Sequence, residues 1–228
     1  MATPPTTSIS ITPPPLSNPS ASASTPNPHS SSASTITDDP TAFTFPPEYS
    51  FPPFFTPQPN TTTRLAQLAK WSSLIQAYCR HHRLWTLSLS SALESPLFWN
   101  KKLGRRLGGK DARDVLGWMA GREGDERVEW VGGGGAQEKG DVVWVWWRKK
   151  EEWATLIAAR VEETGQKNTV LTLYELTQGE STRSQGRRLP VEFYGMDSEM
   201  LRNSLNVLVK RGKAQVFGSG DELGVKFF

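Results

Sequence analysis

The sequence predicts an α+β protein, mainly α, in which one short set of elements is used twice behind a disordered N-terminal tail. Three observations predict it. Of seventeen prolines, fifteen fall at or before Pro59, and no Lys or Arg appears before Arg64. All nine tryptophans lie between Trp71 and Trp153. Beyond residue 60 the apolar residues fall into helical and strand periods whose order repeats. The 165 residues after Thr63 suffice for one ordinary domain or two small ones sharing a surface, since domains usually hold about 50 to 200 residues. A large multidomain enzyme is excluded.

Residues 1–40 contain 26 Pro, Ser and Thr, with Ile9, Ile11, Leu16 and Ile36 the only large aliphatics after Met1. Such a segment cannot bury enough apolar surface to offset its ordering entropy, so disorder is expected. From Phe43 to Pro59 the prolines persist but are interleaved with Phe43, Phe45, Tyr49, Phe51, Phe54 and Phe55. Plain linkers avoid that mixture. The spacing then predicts a helix from Thr61, with Leu65, Leu68, Ser72, Ile75, Cys79 and His82 on one stripe, Thr61 to Thr63 as cap candidates and Arg80 to Arg83 at its end. Leu84 to Leu89 reads as a short strand. Ser95 before Pro96 is a favourable cap pair, predicting a helix with Leu97, Phe98 and Leu103. A third helix is predicted over Lys110 to Arg122, and Val128 to Val131 with Val142 to Trp147 as a hairpin around a Gly-rich connection.

The order then returns. A helix is predicted over Glu151 to Glu163 with Gly165 as its stop, a strand over Val170 to Leu173, and a helical turn from Tyr174 to Leu176. A helix capped by Asp197 and ended by Gly212 precedes a closing hairpin of Ala214 to Phe217 and Gly224 to Phe228. Helix, strand, helix, helix, hairpin is the element order of the winged-helix domain. The prediction is therefore tandem winged-helix domains, 61–148 and 149–228, behind a Pro/Ser/Thr-rich tail (1–44) and an aromatic-proline segment (45–60).

Little catalytic chemistry is available. The single cysteine, Cys79, allows no internal disulfide and no zinc site of four cysteines or of two cysteines and two histidines, so no metal or cofactor is expected. Gly104, Gly109 and Lys110 satisfy most of a phosphate-binding loop, but Asp111 stands where a hydroxyl should reach magnesium. Cys79 beside His81 and His82 reads as a buried thiol and a helix-end imidazole rather than a nucleophile with its base. No run approaches the roughly 18 to 20 apolar residues of a membrane span, and the start lacks a secretory apolar core or the arginines of a transit peptide. A cytoplasmic, non-enzymatic protein is expected.

DNA binding is the rival reading, because winged helices often place their third helix in the major groove. Residues 64–228 carry 26 basic and 20 acidic groups. That excess is modest, and both third helices mix carboxylates with their cations: Asp111 and Asp114 in one, Asp197 and Glu199 in the other.

The segment from Phe45 to Asn60 holds two tandem modules, Pro46, Pro47, Glu48, Tyr49 and Pro52, Pro53, Phe54, Phe55, followed by Gln58, Pro59 and Asn60. With Glu94 to Phe98, Trp153, Thr172 to Leu176 and Gly224 to Phe228, the chain resembles the vacuolar protein sorting 25 family of ESCRT-II endosomal complex subunits, over about residues 45 to 228. The resemblance implies that the Pro-Pro-x-aromatic modules (Pro46, Pro47, Tyr49, Phe51, Pro52, Pro53, Phe54 and Phe55) dock the two other ESCRT-II subunits. Two copies per complex are implied. Arg105, at the family's spacing beyond Leu97, Phe98 and Asn100, would help hold the partner. The second winged helix would recruit the first ESCRT-III subunit around Val170, Leu171 and Thr172, in multivesicular body sorting of ubiquitinated cargo. The resemblance also implies peripheral recruitment to the endosomal membrane, with indirect membrane contact and no nucleic acid. Prolines would preset an extended path so that Tyr49, Phe54 and Phe55 enter partner pockets at low entropic cost. Two other readings of the segment stand beside this one: it folds back onto its own first domain, or it is a WW-domain ligand. The tail, the Gly-rich stretch between Val131 and Val142, and Ser181 to Glu192 with Arg187 and Arg188 depart from the family.

Overall fold

Helix α1, Thr61–His82, opens the regular structure, and Asn60 caps it by accepting a hydrogen bond from the Thr63 amide. The expected threonine caps lie inside the first turn instead. Its buried face runs through Leu68, Trp71, Ser72, Leu74, Ile75, Tyr78 and Cys79, whereas Leu65 is exposed. This is a computed structural model, and it describes residues 42–132, 140–179, 192–218 and 223–228. The expected disordered tail, the Gly-rich connection, the arginines at 187 and 188 and the tip of the last hairpin lie almost wholly outside the described residues.

After α1 come β1 (Thr86–Ser88) and α2 (Leu89–Glu94). The helix expected after Pro96 is not there. Leu97 and Phe98 instead drop into the core, and Trp99–Asn100 (β2) pairs with Arg105–Arg106 (β3) across a tight hairpin. The four-residue connection needs a left-handed residue, supplied by Gly104 at φ +59°. Helix α3 spans Gly109–Ala120, followed by β4 (Val128–Trp130) and β5 (Val142–Val145). The second half repeats this with α4 (Lys150–Glu163), β6 (Val170–Thr172), α5 (Leu173–Gln178), α6 (Ser198–Lys210), β7 (Ala214–Phe217) and β8 (Gly224–Phe227). Asp197 caps α6, accepting from the amides of Glu199 and Met200.

Each half carries a three-stranded antiparallel sheet in which the strand after the first helix pairs with the last strand of the hairpin, in the orders β1-β5-β4 and β6-β8-β7. The apolar interior divides into two clusters. One surrounds Trp71, Ile75, Phe98, Leu116 and Val143. The other surrounds Trp153, Ile157, Met200, Leu205 and Val225. Trp85, although it precedes β1, belongs to the second cluster, and Trp147 packs against both.

Candidate docking surfaces

The aromatic-proline segment does not follow the extended path its prolines suggest. It makes two successive 3-10 turns, Pro47–Ser50 and Pro52–Phe55, each with proline in its opening positions. The reason is local: proline's fixed φ suits the first residues of a helical turn, where its missing N–H is not needed. Each turn is closed by backbone bonds, Tyr49 N to Pro46 O at 3.0 Å and Phe54 N to Phe51 O at 2.9 Å among them.

Those turns aim the rings inward. Tyr49, Phe54 and Phe55 are buried in the first cluster, so these three rings pack on the chain's own first half. Phe54 stacks on Trp71 with centroids 4.3 Å apart, and Phe55 meets the same indole edge-on at 5.6 Å. Phe45 stacks on Tyr49 at 4.0 Å, and Phe43 sits edge-on to Tyr78 at 5.2 Å. The packed chain thus includes Phe43, which lies inside the expected tail, two residues before the expected start of the aromatic-proline segment. The Tyr49 hydroxyl donates to the Pro96 carbonyl, and burial pushes its pKa up to about 12.

An irregular segment lying on a core must satisfy its carbonyls without a ladder. Side chains do this here. The Gln67 amide donates to Phe54 O at 2.9 Å and to Thr56 O at 2.8 Å. Trp71 Nε1 donates to Phe54 O at 3.1 Å, and Asn100 Nδ2 donates to Tyr49 O at 2.8 Å. Glu48 pairs with Lys70 at 2.9 Å, which lowers the Glu48 pKa chiefly through that side-chain bond. Gln67 is the residue that sequence reasoning misses; the available signal is a glutamine beside the apolar stripe of α1.

What remains outside is the other side of the turns. Pro47, Pro52 and Pro53 are exposed, Pro46 is half-buried, and Phe51 is 60% exposed. Strand β3 lies beside the Pro52–Phe55 turn, which brings the exposed Arg105 next to that aromatic-proline surface. Neighbouring Arg106 is bridged to Glu94. Pro47, Phe51, Pro52 and Pro53 thus stay at the surface of the segment, with the rings of Tyr49, Phe54 and Phe55 as its foundation rather than its outer surface.

In the second half, β6 alternates: Val170 is 57% exposed, Leu171 is buried and Thr172 is exposed. Leu171 belongs to the core. Thr172 caps α5, its hydroxyl accepting from the Glu175 amide at 3.1 Å while the Glu175 carboxylate accepts from the Thr172 amide at 2.7 Å. Val170 shares its side of the sheet with Phe217. A Cβ on Gly224 would come within 3.0 Å of the Phe217 ring and 3.2 Å of Val170, so glycine lets those two side chains close over the strand between them.

Groups considered for catalysis are spent on packing. Cys79 is fully buried and burial pushes its pKa up to about 12, leaving no thiolate near neutrality. His82 is exposed and packs on Tyr78, centroids 4.3 Å apart. Among the described residues no group of three His, Cys, Asp or Glu could hold a metal ion. In α3, Arg113 lies over the Trp130 ring and donates to the Gly140 carbonyl at 3.0 Å.

Comparison with known proteins agrees with the family resemblance. The family model described as ESCRT-II complex subunit matches residues 48–197. Vacuolar protein-sorting-associated protein 25 of Danio rerio is 41% identical over 187 residues, covering 82% of this chain and 99% of that protein. The Homo sapiens protein of the same name is 41% identical over 187 residues, covering 82% and 98%. Among solved structures, subunit VPS25 of the endosomal trafficking complex ESCRT-II aligns with TM-score 0.69 and 26% identity over 81% of this chain and 98% of that one. A chain of the endosomal complex ESCRT-II (VPS22/VPS25/VPS36) aligns with TM-score 0.67 and 27% identity over 80% and 98%. This chain belongs to the ESCRT-II complex subunit family, as a relative of vacuolar protein-sorting-associated protein 25.

Proposed function

We propose that the chain is a non-enzymatic adaptor of an ESCRT-II complex, built from tandem winged-helix domains at 61–148 and 149–228. Its partners are the counterparts of VPS22 and VPS36, the subunits named with VPS25 in the solved complex. It docks them through the outer face of the aromatic-proline segment: Phe51 supplies the exposed aromatic surface, Pro47, Pro52 and Pro53 the rigid frame, and Arg105 the charge beside it. The carrying observation is the side-chain clamp, since Gln67, Trp71 and Asn100 hold the segment's carbonyls from behind. A pre-ordered face has less conformational entropy to lose on binding, and exposed aromatic groups contribute disproportionately to interfaces.

The second winged helix offers the outer side of β6 to the first ESCRT-III subunit, with Val170 and Thr172 as contacts and Leu171 as the core residue that orients them. Two copies in one complex would raise the effective concentration of such sites and favour nucleation of the next assembly. The chain works at endosomes as a peripheral component; among the described residues no helix is long and apolar enough to cross a membrane.

Co-expression with the two sister subunits tests this. Phe51→Asp combined with Arg105→Glu should abolish co-elution on a sizing column while leaving the thermal midpoint within a degree or so of the unaltered chain. An intact complex with that pair of changes would refute the docking role. Val170→Asp should leave ESCRT-II assembled and weaken capture of the ESCRT-III subunit.

A further inference from the structure

The two halves of the chain share an interior joint that neither half's element order foretells. Trp85 leaves α1 through Arg83, whose φ of +52° turns the chain left-handed, and its indole is buried in the second cluster rather than the first. There it meets Trp147 with centroids 4.1 Å apart and Trp153 at 5.5 Å, while Trp147 and Trp153 meet edge-on at 5.9 Å. One tryptophan from the first half is thus enclosed by one from the connection and one from α4.

A second tether crosses the same joint. The Glu192 carboxylate binds Arg80 of α1 through Oε1 at 3.1 Å and Arg148 of the connection through Oε2 at 2.8 Å. On another side, Lys149 pairs with Asp125 at 2.5 Å and Lys150 with Glu129 at 2.9 Å. These ion pairs are partly exposed, so each is worth little alone. They nonetheless restrain the halves in different directions around a packed aromatic centre.

We infer that the halves form one rigid lever: Trp85 seated between Trp147 and Trp153, with Glu192 bridging Arg80 and Arg148, fixes the angle between the aromatic-proline face and the β6 face. A closely packed interior resists continuous deformation, so the joint holds one arrangement instead of hinging at the 148–149 boundary. The consequence rests on the adaptor reading: once the first half is docked, the direction in which the β6 face points is already decided.

Spin labels on the full chain at Ala69→Cys and Asn206→Cys, both exposed helix positions, report the angle by pulsed dipolar spectroscopy. Cys79 is fully buried and escapes labelling. A single narrow distance distribution is expected for the unaltered joint, with a shift and broadening on Trp85→Ala and a smaller broadening on Glu192→Ala. The Glu192→Ala variant alters a partly exposed pair, so it keeps the test open where Trp85→Ala unfolds. A broad distribution in the unaltered chain, or an unchanged narrow one in both variants, would overturn the lever. A narrow distribution in a chain that captures no sister subunit would refute the adaptor reading and leave the lever standing.

Discussion

The two candidate faces of this molecule are held by opposite means. Strand β6 is kept in place by its own backbone, paired with β8 in the register Val170 to Lys226 and Thr172 to Gly224. The aromatic-proline segment has no ladder, and its carbonyls are gripped by side chains from α1 and β2. A surface built on a strand tolerates side-chain change because its support is backbone. A surface built on an irregular segment depends on a few polar side chains, each serving one to three carbonyls. The contrast also divides each face into residues that support and residues that can touch a partner.

The change that should break the contrast most is Trp71→Ala. It removes the stacking partner of Phe54, the edge contact of Phe55 and a buried donor together, and should cost about 3 to 5 kcal/mol of unfolding free energy, read by chemical denaturation. Leu171→Ala, the matching core truncation beneath β6, should cost about 2 to 5 kcal/mol while leaving sister-subunit docking intact in the fraction that folds. Gln67→Ala leaves carbonyls of Phe54 and Thr56 short of a donor and should cost about 1 to 3 kcal/mol. Hydrogen exchange should show that loosening in the aromatic-proline segment and not in β6.

Alkaline titration should sharpen the same comparison. Tyr49 and Cys79 are both held neutral by burial, which pushes each pKa up to about 12, well above the ordinary phenol and thiol values. Their contribution is complete below the unfolded values and disappears as pH rises through about 12, because the unfolded chain ionises first. Stability of the first half should therefore fall above about pH 9 to 10, followed by tryptophan fluorescence, and Tyr49→Phe should flatten part of that fall. The smallest effect on stability belongs to the outward residues. Phe51→Ala and Val170→Ala should each change unfolding free energy by no more than about 0.5 kcal/mol, and sizing and capture assays should reveal them instead.

Much of the framework was legible in the sequence because it rests on periodicity and caps. The apolar stripe of α1, the Asp197 cap and the strands of the two hairpins follow from local rules. The errors cluster where no period exists. Ser95 and Pro96 looked like a helix start, yet Leu97 and Phe98 are each fully buried and the chain turns there into the β2-β3 hairpin. The aromatic-proline segment, equally aperiodic, could be identified by composition and motif, but composition does not say which side of a turn a ring occupies.

The sequence by itself determined the repeated element order, the boundary between the Pro/Ser/Thr-rich start and the helical remainder, and the motifs that carry the family. Only the tertiary structure decided that Tyr49, Phe54 and Phe55 face inward, that Phe51 stays exposed, and that Trp85 belongs to the second core. The physical reason is range. Helix periods, caps and turns are settled by residues a few positions apart, whereas the partners of Tyr49 at Pro96 and Asn100, and of Arg80 at Glu192, lie far along the chain and meet only when the cores close.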